Sequence, residues 1–225
     1  MLRFLIPDYS KAGAGIDRNA PKKTGFPLLV EILSREFTTL FKLNFICLLC
    51  CIPIITIGPA MGALTSVTLK MVKDEPVDWF YDFKEAFKKN WKQSFIIGLI
   101  QIITVLCIVS AMLYYIQLQG ISYYCMMFIS ISAAVIIFMS FIYQYSMSVM
   151  VNLKVRDIIK NSFLLSILNI KNSIITVAAC LMLFAAGYMF RIFALPIIFM
   201  FVTLAFSVLF SSFCAYKPIK KNIIK

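Results

Sequence analysis

Histidine is absent from the 225 residues, so the commonest general base and metal ligand is missing. Acids are scarce as well: ten Asp+Glu stand against 22 Lys+Arg, and all ten precede Asn90 except Asp157. With the later half nearly free of carboxylates, it holds no paired acids for acid–base chemistry. There is no Gly-rich phosphate loop and no Ser/His/Asp set. Charged residues as a whole are few, at 14%, against about 25% in a soluble domain. Long polar stretches are missing too, which excludes a separately folded soluble domain.

What the chain has is apolar length. Hydrophobic residues make up 61% of it, well above the roughly 45–50% of soluble proteins. The expected fold is an all-α, multi-pass membrane helical bundle with interfacial amphipathic helices. Five apolar runs serve as membrane segments, at about 43–57, 95–115, 121–151, 174–189 and 193–213. Between and before them, 28–42, 59–72, 79–92 and 153–171 read as helices lying at the interface. Residues 1–27, rich in Gly, Pro, Lys and Asp, read as an irregular arm. No signal peptide is expected, because the first strongly apolar run starts near Leu43.

The formal charge of +12 would suit nucleic acid, but its placement argues against that partner. The cations sit in links between apolar runs and in both tails, as loops facing anionic headgroups do. Lys154, Arg156, Lys160 and Lys171 face a single Asp157 in one link, and the tail carries Lys217, Lys220, Lys221 and Lys225. Both are therefore expected on the cytoplasmic side of the cell membrane. The charge-free link around Tyr114, Tyr115, Tyr123 and Tyr124 is expected at the opposite boundary. Five crossings would put the amino end outside, yet Arg3, Lys11, Arg18, Lys22 and Lys23 favour the inside. A sixth crossing by 59–72 would remove the conflict, although 14 residues make only about 21 Å of helix. The sequence leaves the choice open.

Pro53 and the Gly58–Pro59 pair interrupt the first apolar run. One reading ends a helix near Ile57 and starts a surface helix at Pro59; the other makes a discontinuous element lining a site. Asp78 is placed to cap the next helix, which carries Trp79, Phe83, Phe87 and Trp91 at four-residue spacing with lysines opposite. The pentapeptide Asn90-Trp91-Lys92-Gln93-Ser94 is echoed by Asn169-Ile170-Lys171-Asn172-Ser173, each before a membrane hairpin.

Candidate contacts for a ligand or partner are Asn44, Pro53, Thr56, Gly58 and Pro59 around the break. Trp79, Asp82, Phe83, Phe87, Asn90 and Trp91 on the aromatic helix join them, with Gln101 and Gln144 inside apolar runs. The plainer reading of each polar residue is interhelical hydrogen bonding. The seven cysteines lie in or beside apolar runs as small hydrophobes, and Cys47-x-x-Cys50-Cys51 follows helical spacing rather than marking a Cu(I) site. No catalytic residue, metal or cofactor is expected.

The run Pro53-x-x-Thr-x-Gly-Pro59 and Asp82-Phe83 with Lys-Asn-Trp-Lys-Gln after it, together with Asn44 and the arm YSKAGAGIDRNAPKK, resemble the YesL family of bacterial membrane proteins, also called DUF624. The resemblance implies an integral membrane protein of Gram-positive bacteria with no established activity. It also implies an accessory role beside sugar ABC importer subunits, and it supplies no catalytic residues. A small carrier or channel with its path at the broken helix 53–59 is the alternative.

Overall fold

The computed structural model describes residues 25–116, 121–190 and 196–223. The arm before Gly25, the centre of the tyrosine-rich link and Arg191 lie outside the described residues. Among those described all regular secondary structure is helical, in nine α-helices. These are α1 (Phe26–Arg35), α2 (Phe37–Cys51), α3 (Ile57–Val72), α4 (Trp79–Lys89), α5 (Trp91–Ile116), α6 (Ile121–Met150), α7 (Val155–Leu168), α8 (Ile170–Phe190) and α9 (Pro196–Asn222), with a 3₁₀ turn at Ile54–Thr56 before α3.

The expected helix over 28–42 is divided. Glu36 interrupts it, at φ −102° and ψ 15°, between α1 and α2. The same device recurs twice. Asn90, at φ −101° and ψ 9°, separates α4 from α5, and Asn169, at φ −116° and ψ 42°, separates α7 from α8. Each lies in or near the bridge region of backbone space, where a helix turns a corner. The amide of each break residue donates to a carbonyl four residues earlier: Ile32, Ala86 and Leu165. Its own carbonyl accepts from the amide four residues later, in Leu40, Ser94 and Ser173. The backbone ladder therefore keeps a bond on each side of every corner, which limits the polar groups left open. At Asn169 the corner bends the chain by 99°.

Burial repeats in the same register. Seven and four residues before the breaks stand Leu29 and Ile32, Phe83 and Ala86, Ser162 and Leu165; four and seven after stand Leu40 and Leu43, Ser94 and Ile97, Ser173 and Thr176. All twelve are buried. The pentapeptide echo at 90–94 and 169–173 thus marks two corners of one kind, and Glu36 is a third without the sequence signature.

Each corner feeds an outgoing helix and a returning one: α2 with α3, α5 with α6, α8 with α9. The returning helices α3, α6 and α9 pack against one another at the centre. Each outgoing helix packs against its own returning partner and one neighbour: α2 on α3 and α9, α5 on α6 and α3, α8 on α9 and α6. The arrangement is a cyclic set of three hairpins around a three-helix core. Its layout is held by contacts such as Thr68 with Ser212, whose hydroxyls lie 2.9 Å apart between α3 and α9.

This corrects the reading of 59–72 as a surface helix. α3 is the most enclosed helix of the bundle, with Ala60, Ala63, Leu64 and Val67 fully buried. Its Gly, Ala, Ser and Thr residues, which lower its apparent apolarity, are the small side chains that let neighbours approach. Ile54–Val72 is itself long and apolar enough to cross a membrane, as are Trp91–Tyr115 and Tyr123–Met150, with α7 and part of α8 passing as a bent pair. The first segment, expected over 43–57, is shorter as a helix, since α2 ends at Cys51. It is also the shortest of the outgoing helices, 15 residues against 26 in α5.

Candidate functional site

The Pro53–Pro59 stretch forms the tip of the first hairpin and lines no enclosed site. Pro53 is exposed, as are Ile52, Ile54 and Ile55. Thr56 holds the turn: its hydroxyl donates to the carbonyls of Cys50 and, at 2.7 Å, Pro53. It satisfies carbonyls freed by the break, as a hydroxyl in lipid commonly does. Gly58 and Pro59, by contrast, are buried at the start of α3.

Gly58 lies at a close crossing of α3 and α5. A Cβ there would strike the Ser94 carbonyl of α5, and one on Gly98 would lie 2.6 Å from the Gly58 Cα. Gly62 faces the Ser94 side chain in the same way. Small residues four apart on both helices, Gly58 and Gly62 against Ser94 and Gly98, produce this approach. That spacing was visible in the sequence, yet Gly62, Ser94 and Gly98 were not among the candidates.

Asn44 is fully buried on α2, and its Oδ1 accepts from the Ala205 amide of α9 at 3.2 Å. Gln101 donates to Gln144 Oε1 at 2.8 Å, joining α5 to α6. Gln144 in turn reaches Ser140 at 3.4 Å. These three side chains act as interhelical hydrogen-bonding groups, Asn44 between α2 and α9 and the two glutamines between α5 and α6.

The aromatic helix α4 is anchored as its sequence indicates. Asp78 caps it, accepting from the Tyr81 amide at 3.2 Å. Phe83 is buried against the core, while Trp79 and Phe87 are half-buried beside it. Phe87 stacks with Phe83 and meets Trp91 edge-on at 4.9 Å, so the stripe continues round the corner at Asn90. Lys42 of α2 lies over Trp79, 5.8 Å from the ring. The stripe therefore packs largely against the protein's own helices.

Asp82 and Asn90 are brought together in one cavity. It has a volume of about 130 Å³ and is lined by Ser66 and Lys70 of α3, Asp82, Glu85 and Lys89 of α4, and Asn90. Asp82 is 8% exposed; one oxygen accepts from Lys70 Nζ at 2.8 Å and the other from the Asp78 amide at 3.0 Å. Lys70, twelve residues upstream, carried no sequence signal for this partnership. The chemistry available is charge pairing and hydrogen bonding at the α3–α4 junction. A second ion pair stands nearby in the chain, where Arg35 meets Asp74 at 2.9 Å; that hydrogen bond raises the guanidinium pKa. Among the described residues no three His, Cys, Asp or Glu side chains are grouped to hold a metal, and the cysteines are free thiols.

Apolar helices of spanning length, exposed hydrophobic faces and internally bonded polar groups define an integral membrane protein with an all-α bundle. Residues 37–112 match the model of a family described as "Protein of unknown function, DUF624". The matched segment runs from the first corner through most of α5, and it includes Asn44, the hairpin tip and the α4–α5 corner. No curated protein and no solved structure matches the chain.

Proposed function

We propose that this is a non-catalytic accessory or regulatory partner of a carbohydrate ABC importer in the cell membrane, with its carboxyl end in the cytoplasm. The observation that carries the reading is the α5–α6 hairpin. Its helices, of 26 and 30 residues, outlast a hydrocarbon core about 30 Å thick and expose Leu106, Leu113, Phe128 and Ile129 over their length. Such a face offers a large surface to a second membrane protein. Support also comes from how the interior polar groups are disposed, because Asn44, Gln101 and Gln144 engage protein partners. Two larger cavities at the helix faces have apolar linings, one around Leu183 and Phe210, the other around Phe138 and Leu181. The sugar importer as the partner rests on the likeness to YesL proteins.

Affinity purification of the tagged protein in mild detergent, followed by mass spectrometry, is expected to recover sugar permease or ATPase subunits. Substituting Leu106, Leu113 and Phe128 by Ala should lower that recovery without unfolding the bundle. Recovery of the tagged protein alone would overturn the proposal. The carrier alternative draws less support, since its suggested path at 53–59 begins as an exposed apolar tip and continues into a helix packed against α5. Flux of a sugar or ion in reconstituted vesicles would reinstate it.

A further inference from the structure

We propose that the groove at the α4–α5 corner is a binding site for the headgroup of an anionic phospholipid. The groove has a volume of about 550 Å³ and is lined by Phe87, Lys88, Lys89, Trp91, Lys92 and Gln93. Three lysines and no acidic residue line it, and Lys89 also borders the cavity of Asp82 and Glu85. The Asn90 corner creates this concentration, because it brings the basic end of α4 against the first turn of α5. The edge-on Phe87–Trp91 pair supplies an aromatic wall of the kind that sits at headgroup depth.

A neighbouring basic turn is tied to the groove. Gln93 Nε2 donates to the Leu153 carbonyl at 2.7 Å, tying the groove to the α6–α7 link, where Lys154 and Arg156 follow. Below the groove the surface changes character. Lys92 heads a stripe on α5 that continues through Ile96, Leu99, Ile103 and Leu106, all of them exposed. Their spacing is that of one helix face. An ammonium cluster standing at the head of an apolar stripe matches a molecule with a negative headgroup and long acyl chains, and a free anion would have no use for the stripe.

The other two corners lack this combination. At Glu36 the basic residue Arg35 is paired with Glu36 and Asp74. At Asn169 the positions matching Lys88 and Lys89 are Ile167 and Leu168, which leaves Lys171 alone. Exposed lysines at a membrane surface attract anionic lipid, and salt screens the attraction. Three on one groove therefore give a clear but salt-sensitive preference.

The chain holds 2 tryptophans, so Trp79→Phe leaves Trp91 in the groove as the sole reporter. That variant is reconstituted in vesicles of phosphatidylcholine containing phosphatidylglycerol, with bromine on the acyl chains of one lipid or the other. Brominated phosphatidylglycerol is expected to quench Trp91 several-fold more than its mole fraction predicts, and 0.5–1 M salt should remove most of the excess. Lys88→Gln, Lys89→Gln and Lys92→Gln together should abolish it. Quenching in proportion to mole fraction, or a preference kept by the triple variant, would overturn the site. Loss of the preference on adding millimolar inorganic phosphate would assign the groove to free phosphate instead and overturn the lipid reading. Should Trp79→Phe unfold the protein, native mass spectrometry of the unaltered chain and of the triple lysine variant gives the same comparison, as phosphatidylglycerol retained over phosphatidylcholine.

Discussion

Three single residues show how closely this bundle depends on small or paired side chains. Gly58 has no room for a methyl group, because the obstacle is the backbone carbonyl of Ser94 on a helix that is itself packed. Gly58→Ala is expected to lower the midpoint of thermal unfolding in detergent and to cost about 1–3 kcal/mol, typical of overpacking. An unchanged midpoint would mean that α3 and α5 do not cross as described. Asp82→Ala removes the partner of Lys70 and leaves the Asp78 amide without its acceptor. Lys70 is 36% exposed, so water screens part of the loss, and about 1–3 kcal/mol is expected. A double-mutant cycle with Lys70→Met should return a coupling energy above about 0.5 kcal/mol; additive effects would show the pair to be idle.

Helix elements carry the next level of argument. Gln101 and Gln144 join α5 to α6, so Gln101→Leu leaves an amide without its partner at membrane depth and should destabilise by about 1–2 kcal/mol. Leu at both positions should recover much of that, since neither polar group then remains. Denaturation of the single and double variants in the same detergent checks this, and a double variant worse than both singles contradicts it. The elements also differ in how visible they were. α5 and α6 are long uncharged runs, and the sequence placed them to within a few residues. Asp78 at a cap and lysines opposite an aromatic stripe placed α4. α3 was misread because Gly58, Gly62, Thr65, Ser66 and Thr68 look polar or flexible in one dimension but serve as a contact surface at the centre of the bundle. Asp82 was visible as a candidate, while its partner Lys70 was not, since only the α3–α4 turn brings them together. The corner at Glu36 was hidden for another reason. A glutamate in an amphipathic run reads as helix surface, and only burial at Leu29, Ile32, Leu40 and Leu43 exposes its kinship with Asn90 and Asn169.

At the scale of the whole molecule, three hairpins imply an even number of passages through the bilayer. Arg35 meets Asp74 beyond the end of α3, Gln93 meets Leu153 beyond the end of α6, and Ala215 and Ile219 near the end of α9 pack with Ile158 and Leu165 of α7. The three corners and the end of α9 are thereby drawn to one end of the bundle. Epitope tags at the two termini are expected to become accessible to antibody only after the cells are permeabilised, both together. A tag exposed on intact cells at one end alone would break the three-hairpin arrangement. The tail lysines Lys217, Lys220 and Lys221 of α9 then lie on the same side as the three corners.

The short first hairpin has a further effect on its surroundings. α2 is about 22 Å long, whereas α6 is about 45 Å. The exposed apolar cap of Ile52, Ile54 and Ile55 closes a hairpin whose outgoing helix is half the length of α6. In a bilayer matched to the second hairpin, lipids beside the first are expected to thin to meet that cap. Shorter acyl chains would then favour the first hairpin while straining the second.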